Sequence, residues 1–177
     1  MNTVRGFIHI YCGEGKGKTT AAAGLAVRAA GHGKRVIFAQ FLKGRETGEI
    51  PSLKKLGVEI IRSEECTNFH WEMTTEQKKK YFDIQNALFK MIEEAVLPEK
   101  EIDLLIMDEL LSAISLDMLD EKKLKDFIHN KPENLEIIMT GRIAPEWLTE
   151  KADYITEMKN HRHPYDTGVL EREGIEF

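Results

Sequence analysis

The stretch GEGKGKTT, residues 13–20, decides the fold, and it lies between the apolar run FIHIYC and the alanine-rich run AAAGLAVRAA. Its glycines let consecutive backbone amides turn toward one point without a Cβ in the way. The Lys18 side chain and the positive end of a helix that opens at Lys18 face the same point. The stretch therefore predicts a phosphate-binding loop between a strand and a helix.

Every residue of this loop is a candidate nucleotide ligand: Gly13, Glu14, Gly15, Lys16, Gly17, Lys18, Thr19 and Thr20. Lys18 can reach terminal phosphate oxygens, and the Thr19 hydroxyl is placed to ligate Mg²⁺. Cys12 stands where the full loop pattern has its first glycine. A side chain there would crowd the side on which an ordinary nucleotide runs its α-phosphate and ribose. A glycine-rich turn without a ligand is the alternative, and the Gly-Lys-Thr-Thr ending favours nucleotide binding.

Length and composition favour one cytoplasmic domain over residues 1–177. The net charge of −5 and the pI near 5.7 provide no basic footprint for nucleic acid. No apolar run approaches the length of a membrane span, and the N-terminal run lacks a signal-peptide cleavage site. The two cysteines form neither a disulfide framework nor a metal-binding pattern, so reduced thiols are expected.

Apolar runs alternate with helical patterns along the chain, and this alternation predicts an open, mostly parallel α/β sheet with flanking helices. Thr74 and Gln77 form a capping box that predicts the start of a long helix. The predicted strands are residues 7–12, 36–41, 58–61, 102–109, 135–142 and 152–158, the last as a core strand. The predicted helices are residues 19–30, 52–56, 75–97, 120–129 and 145–150.

The run IDLLIMDE, residues 102–109, ends in two acids at the carboxyl end of a buried strand. Open α/β sheets bind ligands at this edge, so Asp108 and Glu109 are candidate Mg²⁺ ligands. An acidic helix N-cap is the alternative. Arg142 follows a further strand at the same edge, where it would either contact phosphate or cap a helix.

Beyond these patterns, the sequence resembles the P-loop corrinoid adenosyltransferases of the cobalamin pathway from residue 6 to the last residue. The resemblance is carried, in order, by GEGKGKTTAAAGLAVRAAGHGKRV, QFLKG, FHWE, LIMDEL, MTGR, HPYDTGV and GIEF. It implies the P-loop NTPase fold of RecA-like type. It also implies that the 5′-deoxyadenosyl group of ATP is transferred to Co(I) of a corrinoid, with release of triphosphate.

The same resemblance assigns roles by position. ATP would lie in a reversed sense, with its 5′ carbon toward the corrinoid. Lys18 would bind phosphate, Thr19 and Glu109 would hold Mg²⁺ with Asp108 beside them, and Lys43 and Arg142 would be lesser nucleotide contacts. A homodimer is implied, and a flavin-type reductant protein fits as a partner because the cobalt must be reduced.

The aromatic pair Phe69 and Trp71 corresponds to family residues that lie against the corrin and keep the lower axial base off cobalt. Loss of an axial ligand makes Co(II) easier to reduce. His70, between them, is a departure, because a histidine beside cobalt could ligate it. Ordinary core packing of Phe69 and Trp71 is the alternative, and their aperiodic, polar surroundings favour the functional interpretation.

Two other functions stay open at this point. One is another P-loop enzyme, a small-molecule kinase or an ATPase, which would release ADP. The other is a non-enzymatic corrinoid carrier, which would bind corrinoid stoichiometrically without turnover.

Overall fold

The computed structural model describes residues 5–44, 47–63 and 73–176, and its centre is a parallel sheet. The six strands found there are β1 Ile8–Cys12, β2 Val36–Gln40, β3 Glu59–Arg62, β4 Leu104–Asp108, β5 Glu136–Thr140 and β6 Tyr154–Glu157. Their order across the sheet is β3-β2-β4-β5-β1-β6, and every pairing is parallel. The predicted open, mostly parallel α/β sheet is confirmed.

Helices connect these strands. They are α1 Lys18–Gly31, α2 Glu49–Lys55, α3 Thr75–Ala95, α4 Leu110–Ser115, α5 Glu121–His129 and α6 Glu146–Thr149, with 3-10 turns at Pro98–Lys100 and Pro164–Thr167. The predicted capping box is confirmed: the Thr74 side chain accepts from the Gln77 N–H, and the Gln77 side chain accepts from the Thr74 N–H. The sequence patterns do not predict α4, because its six residues are too few to show helical periodicity.

The core has two layers, one on each face of the sheet. Along β2, Val36 and Phe38 pack against α1 and α2, whereas Ile37 and Ala39 pack against the layer formed by α3, α4, α5 and α6. Strands β2 and β4 are buried along their whole length, which is why both are almost continuously apolar. No helix of the described residues has the length and apolar character needed to span a bilayer.

Strand β6 departs from the prediction. Residues 152–158 do contain a strand, but its expected place in the core is wrong. It lies at the edge of the sheet and pairs with β1. All four of its residues are exposed, with Tyr154 at 52% and Ile155 at 51%. A short run with apolar residues therefore does not indicate whether its strand lies at the edge of the sheet or in the core.

The strand order brings the functional candidates to one edge. Strand β5 lies between β1, which enters the phosphate-loop sequence, and β4, which ends in Asp108. Because the strands are parallel, their carboxyl ends share one edge of the sheet, the usual ligand edge of open α/β folds. Thr140, the last residue of β5, therefore lies at the same edge between the end of β1 and Asp108.

Candidate nucleotide site

The loop at residues 13–20 joins β1 to α1, and its shape is held by neighbouring backbone. The Gly13 N–H donates to the Arg142 carbonyl oxygen at 2.8 Å, and the Gly15 N–H donates to the Met158 carbonyl oxygen at 2.6 Å. Gly13 and Gly17 have φ of 100° and 113°, which L side chains rarely adopt. The loop is therefore fixed by segments that follow β5 and β6.

Gly15 is required for a different reason, which is space. A Cβ placed there would lie 2.6 Å from the Met158 carbonyl oxygen and 2.7 Å from its carbonyl carbon. Both atoms are backbone and cannot rotate away. The loop and the end of β6 can approach this closely only because Gly15 has no side chain.

Lys18 folds back over the loop. Its ammonium donates to the carbonyl oxygens of Gly13 at 2.6 Å and Gly15 at 2.7 Å. Burial is the largest influence and lowers the pKa of Lys18, whereas the neighbouring Glu109 carboxylate acts in the opposite direction. A desolvated ammonium at the loop is well suited to meet phosphate oxygens.

Asp108 is the centre of the site. Its side chain is wholly buried, and within the described residues four side chains donate to it. Oδ1 accepts from the Thr19 hydroxyl at 2.8 Å and the Thr140 hydroxyl at 2.7 Å. Oδ2 accepts from the Lys43 ammonium at 2.7 Å and from Gln40 Nε2 at 3.4 Å. These donors come from α1 and from the ends of β2 and β5, so Asp108 ties the loop to the sheet.

Glu109 has a different environment from its neighbour. It has φ of 60° and is the N-cap residue of α4. Its carboxylate accepts from the Ser112 hydroxyl at 2.6 Å, and its N–H donates to Thr140 Oγ1 at 2.9 Å. Of the two acids, Asp108 is thus the one bonded to the Thr19 hydroxyl. Burial is the main influence on the Lys18 pKa and lowers it, while the Glu109 carboxylate acts to raise that pKa.

Lys43 and Arg142 lie on different sides of the loop. The Lys43 ammonium is within 3.4 Å of Thr19 Oγ1 as well as bonded to Asp108. Arg142 Nη1 forms an ion pair with Glu14 Oε2 at 2.7 Å, and both side chains are largely exposed. Lys43 is therefore at the centre of the site and Arg142 at its rim.

The oxygen atoms around Asp108 suit a hard cation such as Mg²⁺. These atoms belong to the Thr19 hydroxyl, the Asp108 carboxylate and the Gln40 side chain. Of them, Gln40 Oε1 is buried and has no hydrogen-bond partner among the described residues. No group of three or more His, Cys, Asp and Glu side chains fit to hold a metal occurs in the described ranges. That donor set is compatible with Mg²⁺ held jointly by a few protein oxygens and phosphates.

Cys12 ends β1 beside the loop and is partly buried. Burial raises the pKa of its thiol, and the Glu157 carboxylate adds to this effect. Phe69, Trp71 and the intervening His70 lie outside the described residues, so their predicted roles at the corrin remain predictions.

Three site residues were missed by sequence reasoning: Gln40, Thr140 and Met158. Gln40 and Thr140 are the polar last residues of otherwise apolar strands, VIFAQ and EIIMT, a signal that could have placed them at the ligand edge. Met158 acts through its backbone carbonyl oxygen. Its sulfur lies beside Gly17, where a Cβ would be 3.6 Å from it. Backbone contacts of this kind leave no mark in the identity of a residue.

The family model and the similar proteins that match this chain all indicate one family. The sequence profile of the family described as ATP:corrinoid adenosyltransferase BtuR/CobO/CobP matches residues 4–177. The chain is 33% identical over 174 residues to a corrinoid adenosyltransferase of Escherichia coli K12, covering 98% of this chain and 86% of that protein. The corrinoid adenosyltransferase CobA of Salmonella typhimurium matches with the same identity and coverage. A corrinoid adenosyltransferase of Pseudomonas aeruginosa is 30% identical, over 98% of this chain and 84% of that protein. On these matches, the chain belongs to the ATP:corrinoid adenosyltransferase family.

Proposed function

We propose that the loop at residues 13–20 binds the triphosphate of Mg-ATP and that this chain, as a corrinoid adenosyltransferase, moves the 5′-deoxyadenosyl group to the cobalt of a corrinoid. The observation that carries the proposal is the linkage of the loop residue Thr19 to the buried Asp108 within a chain of this family. One domain, residues 1–177, would carry both substrates.

The proposed reaction is a nucleophilic displacement at carbon. The electron pair of Co(I) forms the cobalt–carbon bond to C5′ of ATP, and the C5′–O5′ bond breaks. Its electron pair leaves with inorganic triphosphate, while cobalt becomes formally Co(III). No side chain has to act as nucleophile or general base, because the corrinoid supplies the attacking electrons. The tasks of the protein are positioning and charge neutralisation at the leaving group.

We assign charge neutralisation to the loop. The Lys18 ammonium would exchange the Gly13 and Gly15 carbonyl oxygens, at 2.6 and 2.7 Å, for phosphate oxygens. Mg²⁺ would take the Thr19 hydroxyl, with Asp108 and Glu109 as its acidic ligands, directly or through water. Bound there, the metal would stabilise the negative charge that develops on the triphosphate.

Lys43 and Arg142 are proposed as secondary nucleotide contacts, one at the centre and one at the rim of the site. Their present partners are the Asp108 and Glu14 carboxylates. When ATP is bound, its phosphate oxygens would give each of these two cations a second anionic partner. Loss of either should weaken ATP binding less than loss of Lys18.

For the corrinoid we propose Phe69 and Trp71 as the residues that face the ring and exclude the lower axial base. A flavin-type protein is the proposed reductant. We further propose a homodimer and a cytoplasmic location, where ATP is available and reduced cobalt can be maintained.

A turnover assay tests the proposal. The protein is mixed with Mg-ATP and chemically reduced cobalamin, the corrin spectrum is followed, and the released phosphate species are identified. We expect a light-sensitive cobalt–carbon bond and one triphosphate per corrinoid. Release of ADP without a spectral change would support a kinase or ATPase instead, and stoichiometric corrinoid binding without turnover would support a carrier.

A further inference from the structure

A strained turn directly after β2 brings Lys43 into the nucleotide site. Leu42 has φ of 57°, in the left-handed region that disfavours any residue with a Cβ. The next residue, Lys43, places its ammonium 2.7 Å from Asp108 Oδ2 and 3.4 Å from Thr19 Oγ1. Such a backbone conformation persists only where surrounding contacts hold it.

Among the described residues three hydrogen bonds hold this turn, and one of them runs from Arg62 Nη2 to the Lys43 carbonyl oxygen at 3.5 Å. The Phe41 N–H donates to the Asp108 carbonyl oxygen at 2.9 Å, which continues the pairing of β2 with β4. The Leu42 N–H donates to Gln85 Oε1 at 3.2 Å. Gln85 belongs to α3 and is wholly buried, and a buried amide is costly unless it is hydrogen-bonded. Helix α3 thereby supplies a polar contact to the nucleotide edge of the sheet.

The ammonium of Lys43 occupies the place between the two groups that the proposed Mg²⁺ would use. A wholly buried carboxylate needs an opposite charge close to it, and Lys43 supplies that charge at Asp108. The ammonium and a divalent cation would compete for the same Thr19 and Asp108 oxygens. Binding of the metal therefore requires Lys43 to move.

We propose that Gln85 is a positioning residue of the nucleotide site. Through the Leu42 amide it holds the turn that keeps Lys43 between Thr19 and Asp108, where Lys43 is the resident counter-ion of the buried carboxylate until Mg-ATP binds. The phosphates of ATP then give the displaced ammonium a new anionic partner. This inference rests on the magnesium site of the proposed function.

Binding of Mn²⁺ to the nucleotide-free protein, measured by electron paramagnetic resonance, tests this without any turnover. Lys43→Met removes the competing, like-charged ammonium and should tighten Mn²⁺ binding about tenfold. Gln85→Met removes the acceptor of the Leu42 N–H at similar side-chain volume and should shift Mn²⁺ affinity the same way by a smaller factor. Because both changes act through Lys43, the double variant should match Lys43→Met alone. The control is Ile92→Val, another buried position of α3, which should leave Mn²⁺ affinity unchanged.

Three results would overturn the proposal: unchanged Mn²⁺ affinity in Lys43→Met, an effect of Gln85→Met no larger than that of Ile92→Val, or additive effects in the double variant. Amide hydrogen exchange on the wild-type protein is a second check that needs no variant to fold. Slow exchange at Leu42 is expected, and unprotected exchange there contradicts the hydrogen bond. The adenosylation assay is separate, so shifts in Mn²⁺ affinity without adenosyl transfer would count against the proposed function alone.

Discussion

Strand β4 runs between two aspartates whose surroundings differ. Asp103, just before the strand, is partly exposed and accepts from the Lys34 ammonium and the Arg35 N–H, both at 2.8 Å. Asp108, at the other end, is wholly buried and bonded to side chains from α1 and from the segments that end or follow β2 and β5. The first is bonded to two consecutive residues of a single segment, whereas the second gathers donors from three separate segments.

This difference assigns the two aspartates different roles: Asp103 contributes to the stability of the fold, and Asp108 contributes to ligand binding. At Asp103 the partners are adjacent residues of one turn, and water can replace them. At Asp108 the donors are a loop hydroxyl, a strand-end hydroxyl, a strand-end amide and an ammonium. The backbone nearby is in the left-handed region at Leu42 and Glu109. Strain and buried charge held together in this way are typical of ligand sites.

The largest effect is expected from Asp108→Asn. The amide keeps the shape but loses the charge that Lys43 and Thr19 are bonded to, and an amide NH₂ would face two hydroxyl donors. We expect kcat/KM for adenosylation to fall by about two to three orders of magnitude. Steady-state kinetics with varied ATP measures this. Activity within a few-fold of wild type would remove Asp108 from the site.

Gly15→Ala should come next. Its Cβ would meet Met158 backbone atoms at 2.6 and 2.7 Å, so the loop must shift. A displacement of about 1 Å in a positioning element can cost about a hundredfold, and we expect ATP affinity to fall by that order. The matched control is Gly24→Ala in α1, where a Cβ meets nothing within 4 Å. Calorimetric titration with ATP compares the two, and equal affinities would argue against a loop held by β6.

Asp103→Asn should alter stability and leave turnover unchanged. Burial alone would raise the pKa of Asp103, but the Lys34 hydrogen bond and the Arg35 N–H together lower it. A lowered folded-state pKa stabilises the fold above the unfolded pKa, and this contribution is lost as the pH falls through the folded pKa. We expect a loss of about 1 kcal/mol at neutral pH.

Urea unfolding at two pH values checks the sign of that effect. The difference in unfolding free energy between wild type and Asp103→Asn should shrink below about pH 4, because the wild-type carboxyl is then also becoming protonated. A difference that grows on acidification would contradict the assignment of the pKa shift.

The smallest effect is expected at the rim of the site. Arg142→Ala and Glu14→Ala both remove the same exposed ion pair, and each should change stability by only about 0.5 kcal/mol. Arg142→Ala removes a cation at the rim of the proposed phosphate site and should weaken ATP binding by up to about tenfold. Glu14→Ala should not, because it keeps the backbone amide that the loop offers to phosphate. Equal ATP affinities in the two variants would show that Arg142 contributes to the ion pair with Glu14 but not to ATP binding.

Much of the fold was predictable because its signals are local. Buried parallel strands appear as continuous apolar runs, as in VIFAQ and LLIMD, and the capping box marks the start of α3 within four residues of sequence. Strand order is not local, and the edge position of β6 depends on which neighbour β1 accepts. The sequence therefore predicts the strand but not its exposure.

The candidate site likewise has parts with local sequence signals, which were predictable, and parts formed by contacts between distant segments, which were not. The loop and the acidic pair at residues 108 and 109 are visible in the sequence, and the strand ends place them at one edge. Which acid lies on Thr19 depends on the backbone turn at Glu109, where φ is 60°. The turn at Leu42 and the carbonyl of Met158 arise from packing between segments far apart in the chain, and no residue pattern encodes them.

The bond from the Gly15 N–H to the Met158 carbonyl oxygen has a consequence for the order of folding. The loop lies near the start of the chain, yet one of its fixed points comes from a strand formed near the other end. During synthesis the first strand and helix emerge long before residue 158 does. The phosphate site thus reaches its final shape only when β6 docks beside β1, so ATP should recognise the completed sheet and not the growing chain.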